Sequence, residues 1–166
     1  MREKLTKSDI EKIEAEIENR KLVIRPQLIG EVKEARAQGD LSENFEYYAA
    51  KRAKNQNEGR IRYLENMLKT AIIVSDEMME GAVSMNTLVT LLFLEDNLTE
   101  TYKIVTSIRG NSLKGKISTE SPLGSAIFSK KIGDICDVTV NPNYSYQVKI
   151  LSIEPSSDKD DVMKSF

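Results

Sequence analysis

The stretch Gly39-Asp40-Leu41-Ser42-Glu43-Asn44 separates two long segments of helical periodicity. Before it, Ile10, Ile13, Ile17, Ile24, Leu28, Val32 and Ala35 recur at helical spacing. After it, Phe45, Tyr48, Ala49, Gln56, Tyr63, Met67 and Ala71 do the same, with Ile61, Leu64 and Leu68 widening the stripe. Two helices joined by so short a turn run antiparallel, so the stretch is the far end of a helical hairpin. The pattern predicts helices over about 8–37 and 43–74, the second starting at Asp40 or Ser42. Pro26 removes a backbone donor and clashes with the preceding turn, which predicts a kink near Val23–Arg25. Ala49, Ala50 and Ala53 let the helices approach closely, and Tyr47 is free to face outward.

The end of the hairpin is acidic and its shaft is basic. Asp40, Glu43 and Glu46 have no basic residue among them. From Ala49 to Tyr63 come Lys51, Arg52, Lys54, Arg60 and Arg62 against the single acid Glu58. On spacing alone, Asp40 and Glu43 form a capping box that complements the helix dipole. The chemical alternative is two carboxylates that complete a half-built divalent-cation site on a partner, since two oxygens alone do not hold Mg²⁺. The bases suit contacts with a phosphate backbone, and equally a solvated helix face in which Glu58 and Arg62 pair.

Composition narrows the chemistry. The 166 residues carry a net charge of −2, so a nucleic-acid surface has to come from local clustering. There is no histidine, which excludes Ser-His-Asp and Cys-His triads and His-ligated zinc. The single cysteine, Cys136, forms no intrachain disulfide and suits a reducing compartment. No long apolar run is present, so a soluble, cytoplasmic monomer with no membrane partner is expected.

After an acidic connector over 75–82 the period changes to two. Thr87–Leu94, Thr101–Thr106, a short stretch ending at Ile117, Ile135–Val140 and Tyr146–Ile153 read as strands. Asp96-Asn97 and Asn141-Pro142-Asn143 read as turns, and Ser121-Pro122 as the start of a short helix. The expected fold is α+β: a coiled-coil hairpin over 1–76, a mainly antiparallel sheet domain with a short helix over 77–155, and a polar, frayed tail over 156–166.

Several of these stretches resemble one family in a single register. Gly39 to Asn44, then Glu46-Tyr47 and Ala49-Ala50-Lys51, is similar to the tip signature of the bacterial Gre (GreA/GreB) transcript cleavage factors, nearer the GreA branch. Arg25-Pro26, Ala35-Arg36 and Glu58-Gly59-Arg60-Ile61 fit its helices. Ile117-Ser118, Ser121-Pro122-Leu123-Gly124 and Lys131-Ile132-Gly133-Asp134 fit its second domain. The likeness covers about 5–153. Three places depart from it: the bulky Phe45, the basic Arg52-Ala53-Lys54, and the glycine-free Asn141-Pro142-Asn143-Tyr144.

The resemblance implies an FKBP-like second domain that binds RNA polymerase, with Ser121, Pro122, Leu123 and Gly124 in the contact. It implies a coiled coil that enters the polymerase secondary channel and stimulates cleavage of backtracked RNA. Asp40 and Glu43 are then the catalytic pair. They share a second Mg²⁺ with the polymerase active centre, in two-metal hydrolysis at the nascent RNA 3′ end, and the free protein binds no cofactor. Gly39, Leu41, Ser42 and Asn44 shape the tip, while Lys51, Arg52 and Lys54 contact RNA. The chain is thus expected to be an accessory factor and not itself an enzyme. Rival readings are a channel-binding regulator without cleavage, a peptide-binding or prolyl isomerase module suggested by the FKBP-like fold alone, and a purely structural coiled coil. Phe93, Tyr102, Phe128, Tyr144 and Tyr146 are the only aromatics of the second domain, and without tryptophan they make a poor prolyl pocket.

Overall fold

A computed structural model describes residues 2–39, 44–77, 79–159 and 161–164. The chain divides into two compact units, one built on Ser8–Ile72 and the other on Ile73–Ser165. The architecture is α+β.

The first unit contains α1 (Lys7–Asn19), a π-helical turn (Arg20–Ile24), α2 (Arg25–Ala37) and α3 (Phe45–Thr70). The π turn sits where the sequence predicts the kink. Pro26 has no N–H to give, and the turn before it widens so that the Arg25 N–H reaches the Arg20 carbonyl. The contacts between α1–α2 and α3 descend one arm as they climb the other, which makes the hairpin antiparallel. Ala35 meets Asn44, Arg20 meets Asn57, and Glu16 meets Arg60.

The buried stripe of α3 differs from the predicted one. Tyr47, Asn57, Arg60, Ile61, Leu64 and Met67 face inward. Phe45 is 86% exposed, and Tyr48 and Tyr63 are also exposed. The reason lies in the middle of the seam, where polar groups are satisfied in place of apolar packing. Arg60 donates to both oxygens of Glu16, at 2.8 and 3.3 Å, and Arg20 donates to Glu16 at 2.8 Å and to Asn57 Oδ1 at 2.9 Å. Arg25 grips Glu58 through two bonds of 2.7 and 2.8 Å, so the expected Glu58–Arg62 pair gives way to an interhelical one. Burial raises the Glu16 carboxyl, but bonds from Arg60 and Arg20 outweigh it and the net shift is downward. Leu64, Ile61 and Met67 close the base of the seam, each side chain contributing roughly 1.5–3 kcal/mol when fully buried.

The second unit is a five-stranded sheet in the order β5-β4-β3-β7-β6. Its strands are β3 (Thr87–Phe93), β4 (Leu98–Val105), β5 (Lys116–Ser118), β6 (Ile135–Asn141) and β7 (Tyr144–Pro155), while β1 (Lys4–Leu5) pairs with β2 (Ile72–Ile73). All neighbours in the large sheet are antiparallel except β4 and β5. Alternate residues of β3 and β7 (Val89, Leu91, Val148 and Ile150) join Ile104 and Val138 in the core. The helix α4 (Pro122–Ile127) adds Ile127 to it. The β3–β4 turn forms at Asp96-Asn97 as its residues suggest, with Asn97 at φ 54°. Burial pushes the Cys136 thiol up, which keeps it protonated and inert.

β4 and β7 begin earlier and β6 and β7 run later than predicted, β3 and β4 end one residue short, and the described part of the tail is not wholly solvated. β7 continues to Pro155, and beyond it Asp161 is buried with its carboxylate 2.8 Å from each of Lys103, Arg109 and Lys116. Polar composition suggests a solvated end, but a buried Arg109 needs an anion, and the tail supplies it. Burial alone would raise the Asp161 carboxyl, yet the bonds from Lys103, Lys116 and Arg109 bring it down to about 2.

Asp161→Asn should therefore lower stability at neutral pH by roughly 3 kcal/mol, because it leaves buried cations uncompensated. The folded carboxyl lies below its unfolded value of 3.8, so its contribution is complete above that value and is lost as pH falls toward about 2. Urea unfolding across this acid range should show the loss in the natural chain and a flatter profile in the variant. Identical acid profiles would remove Asp161 from the account.

Candidate functional site at the hairpin turn

The described residues bracket the acidic stretch. On one side α2 ends at Ala37, and Gly39 takes φ 131°, a backbone that side chains with a Cβ rarely adopt. On the other side Asn44 is the N-cap of α3. Its Oδ1 accepts from the Tyr47 N–H at 3.0 Å, and its Nδ2 donates to the Ala35 carbonyl at 2.7 Å. One side chain thus starts the returning helix and ties it to the end of the outgoing one. The Ala35 carbonyl also accepts from the Gln38 N–H at 3.3 Å.

Asp40, Leu41, Ser42 and Glu43 lie outside the described residues. The capping role that spacing assigned to Asp40 nevertheless falls to Asn44, and α3 begins at Phe45 in place of Asp40 or Ser42. It ends at Thr70, short of Val74, where Ala71 turns extended. The cap reading of the acidic pair therefore loses its helix end.

Behind the turn, Tyr47 is buried, contrary to the outward position the sequence allowed. The Arg36 guanidinium lies 5.6 Å over its ring, and the Tyr48 ring meets it edge-on at 5.5 Å. The Arg36 hydrogen bond lowers the Tyr47 phenol, helped by nearby Lys51. Lys51 and Arg52 are exposed and Lys54 is half-buried. Arg60 is drawn into the seam with Glu16, which reduces the basic face to Lys51, Arg52, Lys54 and Arg62. Spacing did not single out Glu16, Asn57 or Arg60 as seam residues. The available signal was charge complementarity between the two arms.

In the sheet unit, Ser121 caps α4 by accepting from the Gly124 N–H at 3.0 Å, and Pro122 occupies the first turn. A Cβ on Gly124 would stand 1.9 Å from the Ser118 carbonyl oxygen, so only glycine fits. Leu123 packs against the core. Folding alone accounts for Ser121, Gly124 and Leu123, and Pro122 is the exposed member of the four.

Residues 3–73 match the family model described as transcription elongation factor, N-terminal, and residues 78–155 match the GreA/GreB C-terminal model. A transcription elongation factor GreA of Lachnoclostridium phytofermentans is 41% identical over 154 residues, covering 92% of this chain and 96% of the relative. The chain belongs to the GreA/GreB transcription elongation factors. A GreA of Streptococcus gordonii is 43% identical over 151 residues, covering 90% of this chain and 94% of the relative. Among solved structures, GreA factor homolog 1 of Thermus thermophilus is 24% identical with a TM-score of 0.43, covering 93% of this chain and 99% of that one. The GreA/GreB match spans both units, so the turn between α2 and α3 and the α4 cap belong to one family framework.

As a test of the cap in this GreA/GreB chain, Asn44→Ala should cost about 1–2 kcal/mol of stability, since it removes the cap and the tie to Ala35 together. Asp40→Asn should leave thermal unfolding, followed by circular dichroism, nearly unchanged. A loss at Asp40 as large as that at Asn44 would return the cap to Asp40.

Proposed function

We propose that this elongation factor binds RNA polymerase through its sheet unit and presents Asp40 and Glu43 to the polymerase active centre, where they promote hydrolysis of backtracked RNA. The observation that carries the reading is the Asn44 cap. It satisfies the start of α3 and ties the two arms together. The acidic pair is then not required for capping, and its chemistry is free for another use.

The donor set fits a hard cation. Asp40 and Glu43 offer carboxylate oxygens, which Mg²⁺ prefers, but two such groups leave an octahedral shell unfilled. Asn44 spends its amide on the cap and is not a further donor. Among the described residues no group of three or more acidic or thiol side chains converges on a point. Asp40 and Glu43 would therefore hold Mg²⁺ only in common with the polymerase's own ligands. When bound, the ion supplies Lewis-acid polarisation of water and of a phosphate oxygen.

The remaining residues position and neutralise. Gly39 and Asn44 set the ends of the turn, and the Arg36–Tyr47 stack braces the shaft beneath it. Lys51, Arg52 and Lys54 place positive charge along the path of an RNA backbone. Pro122, exposed at the start of α4, is the part of the Ser121–Gly124 segment available to touch the polymerase. In this reading the chain has no nuclease of its own and lends carboxylates to another enzyme's site.

The exposed Phe45 favours a second reading, in which the chain occupies the channel without promoting cleavage. RNA cleavage in stalled, backtracked complexes separates the two. Asp40→Asn and Glu43→Gln should each leave polymerase binding intact and lower stimulated cleavage by at least about a hundredfold at limiting Mg²⁺, as expected for loss of transition-state stabilisation. Partial recovery is expected at raised Mg²⁺. Full activity in both variants would refute the metal role, and an inactive natural chain that still binds would establish the second reading.

A further inference from the structure

The core face of the sheet continues past its apolar centre into a group of aromatic rings. Phe93 follows Val89 and Leu91 on β3, Tyr102 precedes Ile104 on β4, and Tyr146 precedes Val148 and Ile150 on β7. All three are partly buried against the core. Phe93 and Tyr146 stack with centroids 5.8 Å apart, Tyr102 meets Phe93 edge-on at 6.4 Å, and Tyr144 leans on Tyr146 at 5.8 Å. The sequence made these aromatics an unconvincing pocket, yet the hairpin registers bring four of the five together. The Leu94 N–H bonds to the Gln147 carbonyl, which draws the β3–β4 and β6–β7 turns to one end of the sheet.

Between the two turns is an open cavity of about 270 Å³, small for a cofactor cleft, lined by Phe93, Glu95, Asp96, Tyr144, Tyr146 and Gln147. It is sized for the head of one long side chain. Its rim has one sign of charge. Its two charged lining residues, Glu95 and Asp96, are both acids, and Glu100 stands near Tyr102. Aromatic faces beside carboxylates attract a cation twice over, through the ring quadrupole and through charge-assisted hydrogen bonds. Burial, aided by Glu100, pushes the Tyr102 phenol up, and burial does the same to Tyr146, so both rings stay neutral.

We propose that this aromatic and acidic pocket is a binding site for an arginine side chain presented by a partner protein. A guanidinium is planar, so it lies flat on the Tyr146 or Tyr144 ring while its edge donates to Glu95 or Asp96. A lysine ammonium makes the charge contact without the stacked plane. The site is independent of the acidic turn between α2 and α3, and it stands or falls apart from the cleavage reading.

The test is an NMR titration of the full chain, carbon-13 labelled in its aromatic rings, with N-acetyl-arginine methylamide. The citrulline, lysine and proline analogues are titrated in parallel. Arginine should shift the Tyr144, Tyr146 and Phe93 ring signals saturably. The neutral but near-isosteric citrulline should bind at least about tenfold more weakly, as loss of the charge contacts requires. The exposed pair Glu95→Gln with Asp96→Asn should weaken arginine binding by a similar factor with the far-ultraviolet circular dichroism unchanged. Tyr146→Leu should weaken it as well, and the double acid variant keeps the test decisive if that core-edge change disturbs folding. No saturable shift at these rings, equal binding of citrulline or proline, or binding indifferent to the acid pair would overturn the proposal. Tighter binding of lysine than of arginine would overturn the arginine assignment.

Discussion

The ion-paired seam between the arms of the hairpin is the constraint on which the first unit depends. Glu16 is held by Arg20 and Arg60, Arg20 also reaches Asn57, and Arg25 clasps Glu58. Solvent-screened pairs such as Arg25–Glu58 contribute little to stability. Their larger effect is on register. A slip of α3 along α1 would part the nearly buried Arg60 from the Glu16 carboxylate, at a cost of roughly 3–5 kcal/mol. With the register fixed, Ala35 stands opposite Asn44 and one amide joins the arms at the turn.

A second charged cluster serves the sheet unit in a similar way. Asp161 neutralises Lys103, Arg109 and Lys116, which come from β4, the segment after it, and β5. Those elements carry no acid of their own at that point. The tail therefore completes the fold with one charge, although its composition is that of a solvated end. In both units, charged groups fix the arrangement around apolar cores that are modest in size.

The hairpin and the strand set were legible in the sequence because each has a strong period, and Pro26 marked its irregular turn. Boundaries were less legible. Asp40 with Glu43 has the spacing of a capping box, but Asn44 offers both an acceptor for α3 and a donor for Ala35, and that second bond is invisible to a local pattern. The inward face of α3 was misread because the apolar scale favours Phe45, Tyr48 and Tyr63, whereas the seam buries Asn57 and Arg60 through partners some forty residues away. The aromatic pocket escaped for a related reason. Its residues come from separate strands, and only the hairpin registers show that they meet. The acidic pair stands as a reading from residue type and from the family likeness, and Asp40 and Glu43 lie outside the described residues.

The central claim is that the hairpin works by reach, carrying Asp40 and Glu43 to a fixed reacting centre. Inserting seven residues into each arm, after Leu28 and after Asn55, tests it directly. Each point lies three residues from a member of the Arg25–Glu58 pair, and seven residues nearly preserve the helix face. The turn would move by about 10 Å along the hairpin, with its own sequence and the shaft bases intact. The measurement is RNA cleavage in backtracked complexes, with polymerase binding and helicity followed alongside. The account predicts a folded protein that still binds polymerase and no longer stimulates cleavage. Undiminished cleavage by the lengthened hairpin would contradict it.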